Sequence, residues 1–258
     1  MSEKKMSSKV LVVIPYIADE AQGSELELAV TGWRRHFRHP HQIIVVGDWH
    51  PVTEMGRDIM WIPCPRVDPI PGQYRPHLDL KNKFLKAREL FPRNKGFIFS
   101  CDDCYAIRDF SLDDVQQPKI AGREIPKKDW RNESPYLRDY YKTRDILDIF
   151  GLPVYDFDTH LPRYYDFRRL LATYNAVRDY ESYEWSSLYY NFEVAVGNIS
   201  IPEDAEICTP CCRWKREVQT ATPGFSATDE VDAIWIVNGN CGWSKGLEDI
   251  LRRHYSFG

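Results

Sequence analysis

The stretch Gly96-Phe-Ile-Phe-Ser-Cys-Asp-Asp103 gives the strongest indication of the fold in this chain. Its apolar residues form a short continuous run, which is typical of a strand buried on both faces of a parallel sheet. The run stops at two adjacent aspartates, Asp102 and Asp103. Because ligands of open α/β sheets bind beyond the carboxyl ends of the strands, the stretch predicts a strand over Gly96–Ser100 and a binding site at its end.

Strand and helix patterns alternate on the N-terminal side of this stretch. Continuous β-branched runs predict strands, and apolar residues at helical spacing predict helices. Such alternation is typical of a mostly parallel sheet covered by helices, so we predict an α/β fold with a doubly wound sheet. The predicted strands are Lys9–Ile14 (ended by Pro15), Gln42–Val46 and Met60–Ile62, and the predicted helices are Ser24–Phe37 (with Ser24 as N-cap) and Leu78–Phe91.

The second half of the chain is less regular. Val115–Ser134 is polar and contains two prolines and a glycine, so we predict a mobile loop that closes over the site as a lid. We expect one domain over residues 1–258, divided into an α/β half at 1–110 and an irregular helical half at 111–258. In the second half we predict helices at Tyr136–Phe150, Asp166–Asn175, Glu184–Phe192 and Gly246–His254, and a strand at Ile234–Val237.

Charge and hydropathy narrow the class of protein. The chain has a formal net charge of −4 at pH 7. A weakly acidic chain is poorly suited to long polyanions, since nonspecific nucleic-acid binding depends on neutralising phosphates. The segment Met1–Lys9 is polar, and no apolar stretch approaches the ~20 residues needed to span a bilayer. We therefore expect a cytoplasmic protein without a transmembrane segment.

Seven cysteines occur in the chain, and we expect free thiols in a reducing compartment. Two C-x-x-C pairs are present, Cys101/Cys104 and Cys208/Cys211, and Cys212 follows the second pair directly. Four thiolates could form a structural zinc site. The pairs are far apart in sequence and the first one straddles the two aspartates, so zinc is an alternative and not our main prediction.

Asp102 and Asp103 are the clearest candidates for chemistry. Two neighbouring carboxylates at the end of a buried strand are costly to bury without a partner. A divalent ion such as Mg²⁺ or Mn²⁺ would offset that cost and leave coordination positions open for diphosphate oxygens. The alternative is an exposed turn capped by Asp103. The chain contains neither G-x-G-x-x-G nor G-x-x-x-x-G-K-[ST], which argues against dinucleotide and P-loop chemistry.

Further motifs follow the acidic pair in a definite order. Thr159-His160-Leu-Pro162 comes after the predicted loop, Ser187-Leu-Tyr-Tyr-Asn191 comes later, and Asp79-Leu-Lys81-Asn-Lys83 lies upstream. With the apolar strand and its aspartates, this layout resembles the GT-A class of glycosyltransferases from Val10 to about Phe192, with a weaker similarity at Trp243–Tyr255. The Asp-Asp pair departs from the usual Asp-x-Asp. The layout is also similar to the Stealth sugar-phosphate transferases and to small phage or prophage proteins of glycosyltransferase type.

The resemblance implies a GT-A-type fold whose first half binds a nucleotide-diphosphate sugar and whose second half faces the acceptor. It implies that Asp102, Asp103 and His160 hold Mn²⁺ or Mg²⁺, and that Asp103 and His160 take part in catalysis. It assigns donor binding to Asp48, Asp79, Lys81, Lys83 and Asn191. His160 could instead act as a general base or be structural. One of the two lysines could be a surface residue, and Asn191 and Tyr189 could belong to an aromatic core layer.

The expected reaction is metal-dependent transfer of a sugar from a nucleotide-diphosphate donor to a hydroxyl group. The acceptor is an unidentified glycan or, given the phage proteins, a modified DNA base. Two alternatives remain open at the level of sequence: Stealth-like transfer of a sugar phosphate, and a non-catalytic binding module on the same fold.

Overall fold

The computed structural model describes residues 9–48, 55–56, 58–67, 74–209, 212–218, 233–238 and 242–256. The strands are β1 (Val10–Tyr16), β2 (His41–Gly47), β3 (Ile59–Pro63), β4 (Gly96–Phe99), β5 (Cys104–Ala106), β6 (Arg163–Asp166), β7 (Lys215–Val218) and β8 (Trp235–Asn238). The helices are α1 (Glu25–His36), α2 (Pro76–Leu90), α3 (Leu112–Gln116), α4 (Pro135–Ile149), α5 (Phe167–Ala176), α6 (Trp185–Ala195) and α7 (Lys245–Ser256).

Five strands form the main sheet in the order β3-β2-β1-β4-β6. The first four strands of this order are mutually parallel, and β6 is antiparallel to β4. The α/β class and the mostly parallel sheet are thereby confirmed. The antiparallel edge strand β6 was not predicted, and it brings part of the second half of the chain into the same sheet as the first half.

Both faces of the main sheet are covered, as alternate residues of β1 show. Leu11 and Val13 belong to a core cluster with Phe84 of α2 and with residues of α4, α5 and α6. Val12 and Ile14 belong to a second cluster with Trp33 of α1 and with residues of β5 and β8. Because consecutive side chains of a strand point to opposite faces, these two clusters lie on opposite sides of the sheet.

A smaller sheet, ordered β5-β8-β7, packs beside the end of β4. β5 begins directly after Asp103 and pairs with β8 in antiparallel fashion. The backbone N–H of Asn238 donates to the carbonyl of Asp103 (3.2 Å), and the Tyr105 hydroxyl donates to the Asn238 side chain (2.5 Å). The acidic pair therefore lies at the junction of the two sheets. The sequence patterns did not predict β5 or β7, which have three and four residues.

Pro15 does not end β1 as predicted, because the strand continues to Tyr16. In the pairing with β4, β1 contributes Leu11 to Val13, and Val13 accepts the N–H of Ser100 (3.1 Å). In a parallel strand, the backbone N–H and C=O groups of alternate residues point to the same neighbouring strand. Those of Val13 point to β4, so the backbone nitrogen of Pro15 points to the same side, beyond the last residue of β4. Its missing N–H therefore removes no hydrogen bond from the ladder.

The N-cap residues of α1 and α5 differ in whether their side chains cap the helix. Ser24 is at the predicted N-cap position of α1, but its side chain makes no capping bond and donates instead to Glu248 of α7 (3.1 Å). Asp166 was predicted as the first residue of a helix and is in fact the last residue of β6. Its carboxylate caps α5 by accepting the N–H groups of Arg168 and Arg169. The remaining predicted helices and the strand near Ile234 are confirmed within a few residues.

The segment predicted as a lid, Val115–Ser134, is largely irregular, although Val115 belongs to α3. Its first part is attached to the body of the protein. Ile120 and Ile125 are buried, and the N–H groups of Ala121 and Ile125 donate to backbone carbonyls of the strand-like stretch 154–156 (both 2.8 Å). The mobility of the segment stays a prediction.

Candidate functional site

A cavity of about 790 Å³ opens where β1 and β4 end. Pro15 and Ile17 contribute the wall that follows β1, and the stretch Cys101–Asp103 contributes the wall that follows β4. α2 contributes a third wall, and Glu217 and Asn238 of the small sheet complete it. The volume is in the range of small-molecule sites, and the position beyond the strand ends is where open α/β sheets bind ligands. The sequence-predicted rim and the cavity thus coincide.

Three side chains of different chemistry meet at this cavity. A sulfur of Cys101, a carboxylate oxygen of Asp103 and a ring nitrogen of His160 lie within 4.8 Å of one another. In the part of the chain that the structure describes, no other group of three such side chains is close enough to share a metal ion. Asp102 lines the same cavity but does not belong to this group. Cys101 takes the place that the sequence assigned to Asp102.

The carboxylates of the cavity are in an unfavourable electrostatic environment. Burial and the charge of Glu25 raise the pKa of Asp102 to about 7. Burial, followed by the charges of Asp102 and Glu25, raises the pKa of Asp103 well above its usual value. One oxygen of Asp103, Oδ1, is buried and has no hydrogen-bond partner among the described residues. A bound cation would relieve this repulsion and supply the missing partner.

Glu25 is held in place at the start of α1. It is buried, its Oε2 accepts the N–H of Gln22 (2.6 Å) and its Oε1 accepts the side-chain amide of Asn238 (2.8 Å). Burial raises the pKa of Glu25 as well. Sequence reasoning did not select Glu25 or Asn238, because Glu25 lies in a predicted helix and the position in the fold of the predicted strand Ile234–Val237, which Asn238 follows, was not predicted.

His160 has an unusual backbone conformation, with φ of 56°. No other residue except glycine has a positive φ in the described part of the chain. Non-glycine residues are strained in this region, and such strain is concentrated at functional sites. The side chain is 42% exposed, and its Nε2 lies 3.9 Å from Asp158 Oδ1. His160 is therefore held at the cavity with one nitrogen facing a carboxylate.

Arg163 fixes the loop that carries His160. Its buried guanidinium donates to the carbonyl of Phe157, to Thr159 Oγ1 (2.9 Å) and to the carbonyl of Leu161 (3.2 Å). Lys215 of β7 adds a bond from Nζ to the carbonyl of Thr159 (3.2 Å). Both neighbours of His160 are thus tied down, which explains how the strained conformation persists. Arg163 directly follows the His-x-Pro motif in the sequence, but its role in fixing this loop was not predicted.

A second group of side chains stands behind His160. The hydroxyl of Tyr136, which also lines the cavity, donates to Asp158 Oδ2. Burial alone would raise the pKa of Asp158, but the charge of His160 and the Tyr136 hydroxyl lower it overall. Tyr136 also stacks on the buried ring of His77 at 4.8 Å between centroids. The result is an ionised carboxylate beside a half-exposed imidazole.

Asp79 and Lys83 are both buried, line the cavity and form an ion pair one turn apart on α2. Asp79 also accepts the N–H of Val67 (3.1 Å). Lys81 is not among the residues that line the cavity, and its role in donor binding stays a prediction. Its Nζ lies 4.2 Å from the centre of the Tyr174 ring on α5. Residues two apart on a helix point in nearly opposite directions, so Lys81 and Lys83 cannot both face one cavity.

Asn191 is also not among the residues that line the cavity, and its side chain bonds to the backbone; its role in sugar binding stays a prediction. The side chain is buried, Oδ1 accepts the N–H of Tyr155 (3.0 Å), and Nδ2 donates to the carbonyls of Tyr155 and Ser187 (both 2.7 Å). Tyr189 packs in the core and accepts the N–H of Asp166 (3.1 Å). The alternative of a core layer is therefore the one that the structure supports.

Asp48 follows β2 as predicted, but it is not among the residues that line the cavity. Its Oδ1 accepts the N–H of Ala18 (3.0 Å), which fixes the loop between β1 and α1. The predicted lid, Val115–Ser134, also contributes no lining residue, although the structure describes all of it.

The zinc alternative finds no support among the described residues, where no three cysteines gather. Cys104 is buried in β5, and Cys211 of the second pair lies outside the described residues. Cys101 contributes to the mixed group with Asp103 and His160 instead.

Compared with models of known protein families and with curated protein sequences, the chain matches none. Within the described ranges, no helix is both long and apolar enough to cross a membrane.

Proposed function

We propose that this protein is a metal-dependent glycosyltransferase that moves a sugar from a nucleotide-diphosphate donor to a hydroxyl acceptor. The observation that carries the proposal is the meeting of Asp103 and His160 at a large cavity beyond the ends of β1 and β4. The GT-A resemblance of the sequence motifs supports the same reaction. Asp102, Glu25 and Glu217 also line the cavity, and a bound cation would favour the ionised form of these carboxyl groups before a diphosphate binds.

The residues at the cavity fit a divalent ion. The unpartnered Oδ1 of Asp103 is a free ligand atom, and His160 and Cys101 bring further donors within reach. Carboxylate oxygen with imidazole suits Mn²⁺ better than Mg²⁺, whereas a Cys101 thiolate in the set would favour Zn²⁺. When bound, the ion would act as a Lewis acid and neutralise the charge of the departing nucleoside diphosphate.

The chain's own residues have separate tasks in this proposal. Asp103 and Asp102 would bind the cation, and Lys83 neutralises Asp79, which also lines the cavity, so that this carboxylate does not repel the donor. If His160 is not bound to metal, its ring would accept the proton of the acceptor hydroxyl, and Asp158 would stabilise the imidazolium that forms. Tyr136 and Arg163 hold this pair in position.

A thermal-shift panel of nucleotide sugars, each with Mn²⁺ and with EDTA, tests the proposal. Any ligand that binds the native state selectively raises the melting temperature. We expect at least one nucleotide sugar to do so with Mn²⁺ and not with EDTA, and Asp103→Asn to abolish the increase. Asp179→Asn, at a carboxylate that is 91% exposed, is the matched control and should retain it. A folded protein that gains nothing from any donor would contradict the proposal.

His160→Ala separates the two roles of the imidazole. As a metal ligand, His160 is needed for Mn²⁺ affinity, so the variant should lose both metal binding and turnover. As a general base only, its loss should reduce turnover by roughly 10²–10⁴-fold and leave Mn²⁺ affinity unchanged. A folded variant with full turnover and full affinity would show that His160 is structural.

A further inference from the structure

We infer that a second, small cavity beside the loop of His160 binds one monatomic anion of the halide class between Lys119 and Arg163. This cavity has a volume of about 10 Å³, and both cationic residues line it. Among the described residues that line it, none also lines the cavity of the candidate active site. The inference therefore does not depend on the proposed function.

The size of this second cavity limits what it can hold. A volume of about 10 Å³ is close to the minimum that accommodates one water molecule. Phosphate, carboxylate-bearing metabolites and nucleotides are too large, whereas a single halide ion is not much larger than a water molecule. Gln117 also lines the cavity and is exposed, so an ion can enter past this side chain.

The two cationic side chains are buried and share this small volume. Lys119 is 7% exposed and Arg163 is 6% exposed. No carboxylate is among the described residues that line the cavity with them. Like charges in a desolvated site repel each other, and an anion between them replaces this repulsion with attraction. In agreement with this picture, burial and then the charge of Arg163 lower the pKa of Lys119 to about 7.

The carboxylates whose charges act on these two cations have their hydrogen bonds elsewhere, and none of them lines the small cavity. They are Asp114, which accepts from Ser111 at the start of α3; Glu184, which caps α6; and Asp158, which accepts the Tyr136 hydroxyl. None of the three therefore takes the place of an anion between the cations.

Lys119 has one N–H group left for a ligand. Of the three N–H donors of an ammonium, two are directed to the carbonyls of Asp114 and Gln117 (3.2 Å to Gln117), and the third has no acceptor among the described residues. The Nζ atom also lies 4.6 Å and 5.5 Å from the ring centres of Trp214 and Trp235. Aromatic rings attract a cation but carry no net charge, so the ammonium still lacks a full counter-charge.

Arg163 and Thr159 supply further donors. A guanidinium has five N–H groups, and Arg163 directs three of them to the carbonyls of Phe157 and Leu161 and to Thr159 Oγ1. The other two have no acceptor in the described part of the chain. Thr159 Oγ1 accepts the N–H groups of Arg163 and Leu161, so its own proton is available for donation. Charge-assisted donors from two cations, with a hydroxyl beside them, suit a small anion.

The anion joins two segments that are distant in sequence. Lys119 follows α3, whereas Thr159 and Arg163 lie on either side of His160. The ion is therefore a structural ligand, which stabilises the native state and takes no part in the chemistry of the large cavity.

The experiment measures the melting temperature at pH 6 while chloride replaces gluconate at constant ionic strength. A ligand that binds only the native state raises the melting temperature, and with chloride at ten times its dissociation constant we expect an increase of roughly 3–6 °C. Lys119→Met removes the ammonium and should abolish the increase. Lys127→Met, at a lysine of the same segment whose side chain is 74% exposed, is the matched control and should retain it.

Circular dichroism shows whether each variant is folded. If Lys119→Met does not fold, anomalous diffraction from crystals of the natural chain soaked in bromide locates the ion directly, and we expect a bromide peak between Lys119 and Arg163. The inference is overturned if the wild-type melting temperature does not respond to chloride, or if a folded Lys119→Met variant responds equally. It is also overturned if bromide occupies only surface positions and water occupies the small cavity.

Discussion

Replacing Asp102 by asparagine should stabilise the metal-free protein at neutral and alkaline pH. Asp102 keeps its proton in the folded state up to about pH 7, because burial and Glu25 oppose the charge. In the unfolded chain the same group loses its proton near its ordinary value of about 3.9. Between these values the folded state binds more protons, so stability falls as pH rises from about 4 to about 7 and stays low above that.

The size of the effect follows from the two pKa values. The difference between 3.8 and about 7 corresponds to an upper limit of ~4 kcal/mol in the free energy of unfolding. Asp102 is partly exposed, so solvent screens its charge and we expect ~2 kcal/mol at pH 8. For a chain of this length, that corresponds to an increase of roughly 4–8 °C in melting temperature.

The assay is thermal unfolding in EDTA at pH 5 and at pH 8, with Asp179→Asn as the control for loss of one carboxylate charge. The wild-type protein should lose stability between the two pH values, and Asp102→Asn should lose ~1 kcal/mol less, because part of the ~2 kcal/mol is already lost between pH 4 and pH 5. Equal melting temperatures of Asp102→Asn and Asp179→Asn at pH 8 would contradict the raised pKa of Asp102.

Three other substitutions test individual assignments. At position 160 the left-handed backbone favours glycine, so His160→Gly should be roughly 1 kcal/mol more stable than His160→Ala, and a more stable alanine variant would contradict the strained φ. Lys83→Met leaves Asp79 charged and buried, so it should reduce the free energy of unfolding by about 3–5 kcal/mol in chemical denaturation, and a loss below ~1 kcal/mol would argue against the buried pair. Asn191→Ala should reduce stability by a few kcal/mol and leave donor affinity per folded molecule unchanged in calorimetry; weaker donor binding would restore its predicted role.

The position of the acidic pair was predictable because it depends on local sequence and one general rule. A short apolar strand that ends at two aspartates is typical of the centre of a parallel sheet. The carboxyl end of such a strand is where open α/β sheets bind ligands. The structure places Asp102 and Asp103 there. It was also predictable that only one of Lys81 and Lys83 faces the cavity, because helical geometry alone prevents both from doing so.

Other features depend on contacts between distant segments and could not be predicted in this way. The side-chain amide of Asn191 is hydrogen-bonded to the backbone N–H and carbonyl of Tyr155. That contact exists because α6 packs against the stretch before His160. Cys101 becomes a candidate ligand because the loop held by Arg163 brings His160 next to it. Strand β6 has four residues, two of them tyrosine, and gives no clear periodicity.

The most direct test of the central claim is the release of nucleoside diphosphate from a panel of common nucleotide sugars, measured with the purified protein in Mn²⁺ and in EDTA. We expect Mn²⁺-dependent release from at least one donor, retention of this activity in Asp179→Asn, and its loss in a folded Asp103→Asn variant. Release that is equally fast in EDTA, or in Asp103→Asn, would contradict a metal-dependent site at Asp103. So would a folded wild-type protein that releases nucleoside diphosphate from none of the donors.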